Sequence, residues 1–169
     1  MEDPRPLTTE PLSLDLVNTE WMQEGTRRDL LAEPGGIVVW LQAAGYPGAA
    51  VEPGALRAAR DAIRAAAADP TDAAALNGVL AHGHLLELLG ATGPEQVLEL
   101  DDEGWRVPWL AAQDLLELLR AGPDRVRRCA NHQCILHFYD ASRSGRRQWC
   151  SMAACGNRAK ARRHYERTR

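Results

Sequence analysis

The chain has 169 residues, a hydrophobic fraction of 45% and a formal net charge of -3. That length and composition are normal for a globular protein and support an ordinary hydrophobic core without disulfides. No stretch approaches the roughly 18 unbroken apolar residues of a membrane span, and the opening lacks the basic start and apolar run of a signal peptide, so a soluble cytoplasmic protein without a membrane partner is expected.

In chain order, residues 12–18 (LSLDLVN) read as a short helix, with enough alternation to be a strand instead. Residues 28–44 carry Leu30, Leu31, Val38, Trp40 and Leu41, broken at Pro34-Gly35-Gly36. This predicts a turn and then a helix ending near Gly45 and Pro47. From Pro53 to Ala68, Leu56, Ala59, Ile63 and Ala66 keep the 3.6-residue period of a helix that Asp69-Pro70 stops. Thr71 or Asp72 is expected to cap the next helix, with Leu76, Val79 and Leu80 on one face. Residues 96–100 and 105–107 then read as a β-hairpin turning at residues 101–104, and residues 84–88 as a third strand or a helix end. Pro108 is expected to open a helix through Ala121 that turns Leu115, Leu116, Leu118 and Leu119 inward and ends at Gly122-Pro123. The reading is an α+β fold: a mostly helical N-terminal body with a small β-hairpin over residues 1–124, then a C-terminal module over residues 125–169. The short Gly122-Pro123-Asp124 hinge predicts that the module packs against the last body helix.

Charge divides at the same point. Residues 1–124 carry eight Arg and 21 acidic residues, a net of -13; residues 125–169 carry eleven Arg, one Lys and two acidic residues, a net of +10. Such a split suggests a polyanion-binding module on an acidic body, although the basic tail could instead dock on its own body. Arg richness alone also fits a GC-rich genome; the placement of the cations says more.

All four cysteines lie in the basic module, as Cys129-x4-Cys134 and Cys150-x4-Cys155 with 15 residues between the pairs. Two tight loops that each supply two thiolates suit a single structural Zn²⁺, which takes four soft donors at tetrahedral corners. The alternatives are two disulfides or four free thiols. Residues 135–140 read as a strand, residues 141–145 as a turn in which Asp140 and Ser142 bond backbone N–H groups, and residues 146–149 as the returning strand. A helix capped by Asn157 is expected after Cys155. Knuckle, hairpin, knuckle and helix in this order give a treble-clef-like, four-cysteine zinc finger whose small core depends on metal for folding energy.

The string Arg128-Cys129…Cys134…Phe138-Tyr139-Asp140-x-Ser142-Arg143…Arg147-x-Trp149-Cys150…Cys155-Gly156-Asn157-Arg158-x-Lys160 resembles the CGNR zinc-finger family. Leu14-Asp15-Leu16-Val17-Asn18-Thr19 resembles the opening of the ABATE domain that usually precedes that finger. The resemblance implies a bacterial, stress-related transcription regulator with a DNA-binding finger; a looser description of the family mentions RNA. His137 departs from the pattern as a polar residue in a strand that faces the core.

A helix from about Arg158 to Thr168 would run roughly 16 Å, a length that suits the major groove of duplex DNA. Candidate nucleic-acid contacts are Arg143, Arg146 and Arg147 at the turn and Arg158, Lys160, Arg162, Arg163 and Arg167 on the helix, clamping phosphates. Arg158 could instead hydrogen-bond within the finger, for example to Asp140. Trp149 reads as a lid over the zinc site. His82-x-His84 is a weak candidate metal pair, and residues 90–93 are too short for a phosphate loop. Asp15, Asn18, Thr19 and Glu20 read as anchors of the first element, and Trp21, Trp40, Trp105 and Trp109 as core. No nucleophile elbow, metalloprotease or dinucleotide fingerprint is present, and four Cys ligands leave no open position on the metal, so no enzyme is expected. The leading expectation is a DNA-binding regulator whose body senses a small molecule or forms a homodimer. The alternatives are a single-stranded RNA binder using Tyr139, Trp149 and Tyr165 as stacking platforms, and a small-molecule-binding or protein-interaction module whose finger is purely structural.

Overall fold

A computed structural model describes residues 2–157, 160 and 161. The body is helical. Helix α1 (Leu12–Val17) is only six residues long, yet Leu14, Leu16 and Val17 are at most 1% exposed. It packs on α3 (Pro53–Ala68) and α5 (Arg106–Ala121). Ser13 fixes it to α5, donating from its N–H (2.9 Å) and hydroxyl (2.5 Å) to one carboxylate oxygen of Asp114. This burial on both flanks settles the helix-or-strand ambiguity: a strand would turn alternate residues to solvent, whereas Ser13 through Val17 are all buried.

Between α1 and α3, a hairpin that the sequence reading did not contain precedes the expected helix. Strands β1 (Glu20–Gln23) and β2 (Thr26–Asp29) form an antiparallel hairpin with Trp21 opposite Arg28. Its two-residue turn puts Glu24 (φ 50°) and Gly25 (φ 81°) in the left-handed region, as a tight turn between twisted strands requires. Helix α2 (Gly36–Ala43) follows the Pro34-Gly35 break as expected. Gly36 is needed there, because a Cβ would lie 1.7 Å from the Leu30 carbonyl oxygen. Trp40 is fully buried and donates its indole N–H to Asp15 Oδ1 at 2.9 Å.

Helix α3 has the expected bounds and inward face, with Leu56, Ala59 and Ile63 fully buried. The Glu52 carboxylate caps it by accepting from the Ala55 N–H. Arg60, 4% exposed, is held by Asp29 at 2.6 Å and Glu20 at 3.3 Å, which ties α3 to the β1–β2 hairpin. Helix α4 (Ala74–Leu80) buries Leu76 and Val79 but starts after Ala73, so neither Thr71 nor Asp72 caps it. Helix α5 fully buries Val107, Ala111, Ala112 and Leu115, while Leu116, Leu118 and Leu119 only flank the core.

The expected β-hairpin is displaced. Strands β3 (Gly83–Gly90) and β4 (Gly93–Leu100) pair in antiparallel register, Leu86 opposite Val97, across the short Ala91-Thr92 turn. Residues 101–104 are therefore not the turn. Residues 105–107 are not a strand either: Glu103–Trp105 is one 3₁₀ turn, and α5 begins at Arg106, before Pro108. Proline fits there because the first-turn N–H groups of a helix have no partner within it.

After a 3₁₀ turn (Pro123–Arg125), β5 (Val126–Arg128) pairs antiparallel with β6 (His137–Tyr139). Strand β5 lies on α3 and β6 on α1, rather than the module resting chiefly on α5. Cys129, Cys134, Leu136, Phe138, Cys150 and Cys155 join the same buried cluster as α1, α3 and α5. The architecture is α+β, a helical body with two separate β-hairpins and a treble-clef-like finger packed against it.

Candidate metal centre and basic surface

The finger forms around two knuckles. The first, Cys129–Cys134, sits at the end of the β5–β6 hairpin: Cys129 N–H donates to Leu136 O (2.9 Å) and Cys134 N–H to Asn131 O (2.8 Å). The expected pairing of residues 135–140 with 146–149 is thus replaced by pairing with the upstream strand, because the knuckle itself reverses the chain. The returning segment is held elsewhere, with Ala130 N–H donating to Gln148 O (2.8 Å). The second pair opens a helix. A π-helical turn (Met152–Gly156) follows Ser151, whose hydroxyl accepts from the Ala154 N–H at 2.9 Å. Ser151 therefore caps this helix in place of Asn157, which is itself helical (φ -67°, ψ -39°). Gly156 leaves room for the Met152 thioether, which a Cβ would meet at 2.5 Å.

These turns bring all four cysteines together. They are buried, their Sγ atoms all lie within 4.8 Å of one another, and Cys134 Sγ is 3.9 Å from Cys150 Sγ. A tetrahedral ion with metal–sulfur bonds of about 2.3 Å requires sulfur–sulfur edges of about 3.8 Å, so the donor set fits. No disulfide forms among them. Without a cation such thiols cannot all ionise. Hydrogen bonds from Cys134 and Cys150 favour the Cys129 thiolate, and that thiolate pushes Cys134 up to about 12. A divalent cation reverses that conflict by stabilising every thiolate. Two sulfurs also accept N–H bonds, Cys155 from Asn131 Nδ2 (3.4 Å) and Cys129 from the Cys150 N–H (3.5 Å). Outer contacts of this kind fix ligand orientation.

The finger is clamped to the body by groups of the N-terminal segment. Asn18, fully buried, accepts from the His137 N–H (2.8 Å) through Oδ1 and donates to His137 O (2.9 Å) through Nδ2. One amide side chain thus completes both backbone groups of β6 at that residue. Glu10 accepts from the Tyr139 N–H (2.8 Å) and from Arg147 Nη2 (3.1 Å). The His137 imidazole is buried with no partner for Nδ1, and burial, with Arg64 and Arg128 nearby, lowers its pKa to about 4. It is a neutral space-filler in the seam, which accounts for a polar residue on a core-facing strand.

The finger's arginines divide into two sets. Arg125 donates to Asp140 O (2.6 Å) and Ser142 O (3.0 Å), and Arg127 to Asp124 O (2.8 Å) and Arg147 O (3.2 Å). Arg147 donates to Trp149 O (3.0 Å), Tyr139 O (3.3 Å) and Cys150 O, and lies 4.2 Å over the Phe138 ring. The Asp140 carboxylate accepts from the N–H groups of Ser142 (3.0 Å) and Arg147 (2.8 Å), which bears out its expected place in the turn. Hydrogen bonding from Ser142 and these N–H groups holds its pKa below the usual carboxylate range. By contrast Arg128, Arg143, Arg146 and Lys160 are exposed, with no hydrogen bond or ion pair among the described residues. Arg147 is therefore occupied inside the fold, where the sequence suggested a contact residue. Arg158, Arg162, Arg163 and Arg167 lie outside the described residues, as does Tyr165. Sequence reasoning gave no site role to Glu10, Arg125 or Arg127, and quoted Arg128 only as part of the family string; the placement of Arg125–Arg128 beside the first knuckle was the one signal for the arginines, and nothing pointed to Glu10.

The described cations of the basic module are largely not neutralised on the body. Among the described residues, Glu10–Arg147 is the one ion pair between body acids and finger cations. The weaker candidates resolve structurally. His82 pairs with Asp101 (2.9 Å) and stacks on Trp105, and His84 pairs with Glu99 (3.4 Å), so the two histidines share no ligand site. Trp21, Trp40 and Trp109 are core residues. No helix among the described residues is long and apolar enough to cross a membrane.

A buried four-thiol centre in a basic module, docked on an acidic helical body, defines a metal-binding finger protein of two parts. The family model described as "Putative stress-induced transcription regulator", ABATE, matches residues 10–122, and the CGNR zinc-finger model matches residues 125–168. The chain belongs to the ABATE family and carries a CGNR zinc finger. No curated protein matches it.

Proposed function

We propose that this protein is a bacterial DNA-binding transcription regulator, cytoplasmic, whose finger holds one structural Zn²⁺ on Cys129, Cys134, Cys150 and Cys155. The observation that carries this reading is the set of exposed finger cations whose side chains have no partner among the described residues: Arg143, Arg146 and Lys160, joined by Arg128. Cations already tied to carboxylates would have to break those pairs to meet phosphates; these do not. Arg158, Arg162, Arg163 and Arg167 extend the same charge in the sequence. Zinc suits four buried thiolates and leaves no coordination position for substrate, so the role is binding rather than catalysis. The finger and the body act as the DNA-contacting and effector-responsive parts.

The test is a fluorescence-anisotropy titration of the zinc-loaded protein against mixed-sequence duplex DNA over a range of salt. A log–log slope of about -4 or steeper is expected if four or more phosphates are neutralised. The double variant Arg143→Glu/Arg146→Glu should weaken binding and flatten that slope while retaining zinc. Unchanged affinity would remove the turn from the interface, and stronger binding to single-stranded RNA than to duplex DNA would replace the DNA reading.

A further inference from the structure

The β3–β4 hairpin stands apart from everything described so far. Each strand has eight residues, and none of the sixteen is buried. Leu85, Leu88, Leu89 and Val97 are 40%, 46%, 84% and 39% exposed. The hairpin touches the body at its root, where Trp109 Nε1 donates to Leu80 O (3.0 Å) and Gly83 O (3.1 Å). A two-stranded hairpin with an apolar surface is marginally stable in water, so a surface of this kind requires a cover.

Its two edges differ in chemistry. Strand β4 carries Pro94, Glu95, Gln96 and Glu99, the residues that blunt an edge against further pairing. Strand β3 carries none of these except one central acid: its sequence is Gly-His-Leu-Leu-Glu-Leu-Leu-Gly. Residues 85–89, Leu-Leu-Glu-Leu-Leu, read the same in both directions. An antiparallel strand related by a twofold axis through Glu87 would meet leucine with leucine at every flanking position. Leu85 would face Leu89 of the second copy, and Leu86 would face Leu88 of the second copy. No other partner would need a palindromic strand, whereas a self-complementary edge is what an isologous dimer requires. Charge selects the same edge. Pairing through β3 leaves Glu95 and Glu99 of both copies on the outer rims, while pairing through β4 would bring them together.

We infer that β3 is a homodimerisation edge, through which two copies form a continuous four-stranded sheet in the order β4-β3-β3-β4 centred on Glu87. The central pair of glutamates is the one unfavourable match. Within each hairpin the Gln96 side-chain amide donates to the Glu87 carboxylate, which spreads part of that charge. The interface is therefore tunable at one position. This inference stands independently of what the finger binds.

The test is sedimentation velocity of the full zinc-loaded chain from micromolar to several hundred micromolar, for the wild type, Glu87→Gln and Leu89→Lys. Leu89 is 84% exposed, so the lysine should leave the monomer folded, as circular dichroism would verify. The expected result is a reversible wild-type dimer, tightened by Glu87→Gln, which removes the opposed like charges at its centre, and weakened at least about tenfold by Leu89→Lys, which replaces the leucine that faces Leu85 of the second copy with a charge. Amide exchange should slow along β3, and not β4, as concentration rises. A wild-type chain that stays monomeric throughout, or a dimer indifferent to both substitutions, would overturn the assignment.

Discussion

The body and the finger are held together by different physics. The body buries leucines, alanines and Trp40 in continuous contact, so its stability is spread over many side chains. The finger buries Leu136, Phe138 and its four cysteines, and relies on a few directional bonds: four thiolates around the proposed ion, one asparagine and three arginine forks. The first design tolerates the loss of any one residue better than the second. The finger's integrity is concentrated at a handful of named atoms, and its neighbour supplies two of the clamps.

The largest expected effect follows from removing the metal. Structural zinc contributes about 10–16 kcal/mol in small fingers, so chelation or Cys150→Ser should unfold residues 126–157 while the far-UV helical signal of the body persists. Amide exchange read by mass spectrometry distinguishes the parts, and protection that survives chelation throughout the finger would erase the contrast. Next is Asn18→Ala. It orphans two buried backbone groups of His137, each worth about 1–3 kcal/mol, so a loss of roughly 4 kcal/mol is expected in denaturant unfolding. A change below about 1 kcal/mol would mean the seam can repair itself with water.

Acid should act at the same seam. The His137 pKa falls from 6.5 to about 4 on folding, so the unfolded chain binds the proton more readily between those values. Stability is then complete above about pH 6.5 and declines as pH falls towards 4, by on the order of 3 kcal/mol. His137→Phe should flatten that window, and a pH dependence identical to the wild type's would assign it to other groups. The smallest effect expected is Arg147→Lys, which keeps the charge but loses the fork that spans Tyr139, Trp149 and Cys150 carbonyls. A cost of about 1–2 kcal/mol with little change in DNA affinity would confine Arg147 to the fold, whereas a large affinity loss at constant stability would return it to the contact surface.

The parts of this architecture legible in the sequence are those with a fixed spacing. The two C-x4-C pairs announced the metal centre, and the apolar period from Leu56 to Ala66 announced α3. The β1–β2 hairpin was hidden because β2 is Thr-Arg-Arg-Asp, a polar strand whose turn depends on Glu24 at positive φ. The β3–β4 hairpin was misplaced because Leu-Leu-Glu-Leu-Leu does not alternate and exposes leucines on both faces, so period gave no register. Within the site, the ligands were plain but the division of arginines was not. Arg146 and Arg147 are adjacent and identical in type, and only the packing of Phe138 and Glu10 decides which one is occupied.

The Asn18–His137 clamp joins residues 119 positions apart. During synthesis, α1 emerges well ahead of β6, so its outer seam must wait for the elements between them and for the arrival of a metal ion. Until then the peptide groups of β6 and the apolar flank of α1 have no cover, and such unfinished surfaces are what proteases and chaperones engage. The cell's supply of the ion would thereby set how long a newly made chain survives, as well as whether its finger is folded.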